Sequence, residues 1–164
     1  MTAAAALAYA YPSDMTAGSP SPSAQVTVAS DVLGTLTVDR SAIVTFPRGL
    51  LGFPECRDFV LMPAEREHLY WLQSVQYSTL AFLSIDPFVF FPGYTVDLGS
   101  TDLAKIATSP NDVMVLSIVT LPNSRDGQPT ANLQGPVVVN TQTQQAFQTV
   151  LSDGQYGIRE AFTL

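Results

Sequence analysis

The sequence predicts a mainly β domain: a small antiparallel β-barrel-like fold with one or two short helices. Three observations predict it. Short runs rich in β-branched and aromatic residues recur along the chain, each bounded by Pro, Gly, Asn or Asp. No long helical pattern alternates with them, which argues against a parallel α/β sheet. Residues 113–119, Val-Met-Val-Leu-Ser-Ile-Val, are apolar at both parities. A strand covered on both faces, or one inside a closed sheet, needs that pattern.

In chain order, strands are expected over 35–38, 42–46, 59–62, 70–74, 80–85, 94–97, 113–120, 136–139 and 146–151. Each is short and ends at a residue that disfavours continued pairing. Ser100 or Thr101 can N-cap a helix running to about residue 107. Asp102 would then sit in its first turn, beside the positive end of the dipole. Residues 63–69 are expected to form a helical turn.

The composition divides the chain. Residues 1–31 hold nine Ala, five Ser and three Pro, and no Lys or Arg precedes Arg40. Such a segment has little to bury, so 1–31 is expected to be a disordered low-complexity tail. Residues 3–10 are Ala-rich but lack the positive n-region of a signal peptide, and at most a short, weak helix is expected there. Residues 32–164 form the expected domain, with all 7 basic side chains and 12 of the 14 acidic ones. No apolar run reaches the roughly 18 residues needed to span a membrane.

Charge and residue counts exclude several function classes. The net charge is −7, and the chain has one His and one Cys. One Cys permits neither an internal disulfide nor a cysteine metal cluster. The few scattered basic residues disfavour a surface that tracks phosphates, which counts against a generic oligonucleotide-binding barrel, the main alternative reading. A Cys56/His68 dyad would need hydrogen-bond reach and an orienting group, and nothing in the sequence supplies either. The sequence expects a half-exposed thiol and a surface His. Glu65 and Glu67 read as a solvated pair. Gly49-Leu50-Leu51-Gly52 lacks the Lys and hydroxyl of a phosphate loop. No cofactor or metal motif is present, and no enzyme is expected.

The aromatics carry more information. Phe88, Phe90, Phe91 and Tyr94 crowd a segment between Pro87 and residue 95. Core packing explains them best, and an exposed partner patch is the alternative. Residues 46–54, Phe-Pro-Arg-Gly-Leu-Leu-Gly-Phe-Pro, are dense in Gly and Pro, with Phe53 either core or contact.

These motifs, in order, resemble the FliW family of flagellar assembly factors. The matching elements are F-P-R-G-L-L-G-F at 46–53, W-L-Q-S at 71–74, A-F-L-S-I-D-P at 81–87 and F-F-P-G-Y at 90–94. S-I-V-T at 117–120, T-A-N-L-Q-G-P-V-V-V-N at 130–140 and Y-G-I-R at 156–159 complete them. The chain departs from the family pattern at Gln76-Tyr77-Ser78, at Gly93 and at Gly157. The resemblance implies a cytoplasmic, β-barrel-like, non-enzymatic binding protein, a monomer when free. It implies two partners: newly made flagellin, and CsrA, a small basic RNA-binding repressor of flagellin translation. Flagellin would occupy the protein while unexported, and the released protein would antagonise CsrA. No direct contact with nucleic acid or membrane is implied. Opposite charge speeds and selects association, so Glu55, Asp58, Glu65, Glu67, Asp97 and Asp102 are the candidate CsrA-facing acids. Phe88, Phe91 and Tyr94 are the candidate apolar contacts for a flagellin helix, and Phe53 is a further candidate partner contact.

Overall fold

The computed structural model describes residues 24–106 and 109–164. Eleven antiparallel strands dominate these residues: β1 Gln25–Ser30, β2 Gly34–Asp39, β3 Ile43–Thr45, β4 Asp58–Pro63, β5 Leu69–Ser74 and β6 Ala81–Ile85, then β7 Val113–Thr120, β8 Thr130–Ala131, β9 Val137–Asn140, β10 Ala146–Gln148 and β11 Glu160–Ala161. Two short helices, α1 Pro87–Phe90 and α2 Ser100–Ala104, lie between β6 and β7.

β1 and β2 form a separate hairpin. The remaining strands make one sheet in the order β10-β9-β7-β6-β5-β4-β3, with β8 and β11 branching from β7. The first half of β7 pairs with β9, through Val113↔Asn140 to Leu116↔Val137. Its last two residues, Val119 and Thr120, pair with β8. The sheet curls until its two ends meet. Thr45 in β3 and Gln145, just before β10, form a single bridge, and the Thr45 N–H donates to Gln144 O at 2.8 Å.

The curl encloses the main core. Val44, Phe46, Phe59, Leu72, Leu116 and Val139 meet there with almost no exposure. Along β7, Met114 and Leu116 face this core, while Val113 and Val115 face a second cluster under α2 with Ile106 and Val138. Both parities of the strand are therefore covered, as its sequence requires. A third cluster gathers Leu69, Ile85, Tyr94, Leu133 and Phe162.

Four sequence expectations are corrected. Residues 25–30 belong to β1, so the ordered region reaches into the segment read as a tail. Val28, paired with Leu36, is 2% exposed, and burying it offsets the Ser- and Ala-rich composition around it. The tail expected over 1–23, the Ala-rich helix and the last residue expected of α2 lie outside the described residues. Residues 94–97 are not a strand: the Tyr94 side chain turns into the third cluster, and no neighbour offers them a ladder. Residues 63–69 are not a helical turn. They close the β4–β5 hairpin, with the Ala64 N–H donating to Leu69 O at 2.9 Å and His68 at φ 64°. Finally, α2 has Gly99 as its N-cap, with no side-chain cap bond from Ser100 or Thr101.

The helix that sequence reading missed is α1. Its signal is local: Asp86 is the N-cap, its carboxylate accepting from the Phe88 N–H at 2.9 Å, and Pro87 occupies the first turn. Asp-Pro is a helix start, hidden here inside an aromatic run.

Candidate functional site

Residues 46–54 form a loop tied down by its own hydrogen bonds. The Phe46 carbonyl accepts from the Gly49 N–H at 2.9 Å, and the Leu50 carbonyl from the Phe53 N–H at 2.8 Å. Gly49 has φ +73°, and a Cβ there would lie 2.4 Å from the Pro54 carbonyl oxygen, so only glycine fits. Leu50 inserts into the main core at 2% exposure, and Phe53 packs edge-on against Phe82 with centroids 5.4 Å apart. Arg48 and Leu51 are left pointing outward, Leu51 at 54% exposure.

The loop faces β10 across a hollow of about 370 Å³. Gln148 ties the two sides together. Its Oε1 accepts from the Leu51 N–H at 3.3 Å and its Nε2 donates to Gly135 O at 2.8 Å. On the far rim, Lys105 Nζ lies 5.1 Å from the centre of the Phe147 ring and pairs with Asp102. A second hollow, about 410 Å³, lies beside the bridge that joins the sheet ends, with Thr45, Asp58 and Gln144 on its wall.

The six candidate acids do not form one patch. Glu55 is exposed in the loop before β4, and Asp58 begins β4 half-buried, its carboxylate accepting from Thr45 Oγ1 at 2.7 Å. Glu65 and Glu67 are exposed on the β4–β5 turn, beyond the other end of that strand. Asp97 is exposed ahead of α2, and Asp102 on α2 is held by Lys105. Few ion pairs neutralise them: Lys105–Asp102 is the salt bridge found among the described residues.

The candidate aromatics are largely structural. Tyr94 is 5% exposed, and its hydroxyl donates to Leu133 O at 2.8 Å. Burial pushes its phenol pKa well up, with Tyr156 adding to the shift. Its ring meets Tyr156 at 4.7 Å and Phe88 at 5.6 Å. Phe91 is half-buried against Phe162 at 5.8 Å. Val89, between the buried faces of α1, is the apolar side chain of that helix that reaches solvent, at 46% exposure. Phe53, Phe88 and Phe91 are half-buried, and Tyr94 is buried.

Cys56 and His68 do not come together. They lie beyond opposite ends of β4, whose six residues span roughly 20 Å. The half-exposed thiol expected from sequence is instead a core group at 1% exposure. Burial pushes its pKa up, and the Glu55 carboxylate adds to the shift. A raised pKa depletes the thiolate that nucleophilic chemistry needs. Among the described residues, no three His, Cys, Asp or Glu side chains gather as a metal set, and no helix is long and apolar enough to cross a membrane.

These features define a curled, antiparallel β domain with a rim loop tied down by its own hydrogen bonds. Comparison with known proteins makes the class specific. The family described as "FliW protein" matches residues 27–162. The "Flagellar assembly factor FliW" of Treponema denticola is 37% identical over 134 residues, covering 80% of this chain and 90% of that protein. The protein of the same name from Moorella thermoacetica is 35% identical, covering 80% and 85%. A crystal structure of the flagellar assembly factor FliW superposes with a TM-score of 0.75 at 32% identity, covering 83% of this chain and 96% of that one. The chain belongs to the FliW family.

Proposed function

We propose that this protein is a cytoplasmic, non-enzymatic flagellar assembly factor. It binds flagellin and, when free of it, binds the translational repressor CsrA and relieves repression of flagellin synthesis. The observation that carries the reading is family membership across nearly the whole described domain, which extends the relatives' role to this chain. The buried thiol and the wide separation of Cys56 from His68 support a binding role over catalysis. The exposed carboxylates Glu55, Glu65, Glu67 and Asp97 are the groups a basic repressor would meet, as separate contacts on a sparsely charged surface. Val89, with the half-buried Phe88 and Phe91, is the apolar ground on which a flagellin helix would rest.

Size-exclusion co-elution of the purified protein with flagellin, and separately with a CsrA-type protein, tests this. Each should form a complex, and flagellin should reduce the amount of CsrA retained. Failure to bind either would sink the assignment. Glu65→Lys with Glu67→Lys should weaken CsrA binding and flatten its salt dependence.

A further inference from the structure

The geometry points to the hollow between the 46–54 loop and β10 as a docking site for a peptide segment that carries an apolar side chain next to a carboxylate. The inference rests on the reading of this domain as a protein binder and assigns chemistry to one place on it.

Shape comes first. The hollow, about 370 Å³, lies at the small end of the range of ligand-binding clefts. Its floor and walls are mostly apolar: Leu50 and Ala146 are buried below, with Pro47, Pro54 and Phe147 at the sides. Leu51 stands at the rim at 54% exposure, although the loop on either side of it is anchored. The Gly49–Phe46 and Phe53–Leu50 hydrogen bonds and the Gln148 tether hold this shape. A partner therefore meets an ordered surface and does not have to organise it, which lowers the entropic cost of binding.

Charge comes second. The chain has 14 acidic and 7 basic side chains, yet two basic ones, Arg48 and Lys105, line this hollow and no carboxylate does. Lys105 is the sole lysine of the chain. Its ammonium is placed over the rim by Phe147 and by its pair with Asp102. Arg48 is exposed and makes no salt bridge among the described residues. A carboxylate arriving at Arg48 gains a charge-assisted, two-pronged hydrogen bond, while the neighbouring apolar side chain covers Leu51 and Phe147. A bare anion would find no partners on the apolar floor. Nucleic acid would meet two cations on a chain of net charge −7. A basic partner would meet the unpaired charge of Arg48, which disfavours docking of the repressor in this hollow.

The test uses the full chain, 15N-labelled, titrated with short blocked peptides in a Gly/Ser context up to concentrations on the order of 1 mM. A Leu-Glu peptide should give saturable amide shifts confined to residues 47–54 and 146–148. A Leu-Lys peptide and a Ser-Glu peptide should not. Arg48→Glu should weaken Leu-Glu binding about tenfold while leaving the thermal melt unchanged, because Arg48 is exposed and holds nothing in place. Leu51→Ala is the second variant, expected to weaken binding by removing rim contact. Absent shifts, equal shifts with Leu-Lys, or the same shifts from inorganic phosphate or a short RNA would overturn the site. If the peptide fails while flagellin and CsrA are still bound, only this assignment falls. If the peptide binds and neither protein does, the broader reading falls instead.

Discussion

Two segments of this chain look alike on paper and behave differently in the fold. Residues 46–54 and 86–94 both mix Phe, Pro and Gly in a short run. The first is a platform: Leu50 is pinned in the main core, Gly49 lies against Pro54, and Arg48 and Leu51 point outward. The second is a plug. Its rings turn inward onto residues distant in sequence, Phe90 and Phe91 onto Phe162 and Tyr94 onto Tyr156 and Leu133. Aromatic density does not by itself tell a contact surface from a core. What decides is which distant residue supplies the other face of the ring.

The largest test of that contrast is Phe162→Ala. Phe162 is 7% exposed and meets Phe90 at 5.3 Å and Phe91 at 5.8 Å. Its removal should cost about 3–5 kcal/mol in urea denaturation. A loss below about 1 kcal/mol would mean that the plug is not held by these contacts. Next is Gly49→Ala against Gly52→Ala. Both glycines have positive φ, +73° and +87°, but only Gly49 has backbone within reach of an added Cβ. Gly52→Ala should cost about 1–2 kcal/mol from backbone strain alone. Gly49→Ala should cost roughly 2–4 kcal/mol, since it also forces the loop off Pro54. Equal costs would show a loop softer than its contacts imply. Tyr94→Phe should then cost about 1–2 kcal/mol, because it leaves the buried Leu133 carbonyl without its donor.

The same contrast shows what was legible in the sequence. Strands β4, β5, β6 and β7 were readable within a residue or two, because their patterning is local. β1 was hidden because it continues the Ala-, Ser- and Pro-rich segment before it, and the burial of Val28 depends on residues distant from that segment. The 94–97 segment reads as a strand by residue type, but it has no neighbour to pair with, and Tyr94 answers to Leu133, 39 residues away. At the candidate site, the Gly and Pro of the 46–54 loop were visible as backbone devices. The hollow was not, because β10 and Lys105 reach it from far along the chain. The acids were each identifiable, but their scatter over the loop before β4, the β4–β5 turn and α2 depends on the path of the chain.

The smallest expected effect lies at the entrance to the plug, where Asp86 caps α1. Its carboxylate accepts from the Phe88 N–H at 2.9 Å, a contact that favours the charged form. Burial opposes this and wins, so the carboxyl titrates above its ordinary 3.8. The sign follows. Below 3.8 the group is protonated in both the folded and the unfolded chain. As pH rises through the window between 3.8 and its raised folded value, the unfolded chain gives up its proton first, and the folded state loses stability. Above that window the ionised carboxylate is a standing cost of the fold. Asn caps a helix as well as Asp and carries no charge. Asp86→Asn should therefore be as stable as the parent or more so at neutral pH, by less than about 1 kcal/mol. The difference should shrink toward zero as the parent is acidified toward 3.8. Urea denaturation across that pH range reads it directly. A variant that is less stable at neutral pH and recovers on acidification would reverse the sign, and would mean that the Phe88 hydrogen bond outweighs burial at this cap.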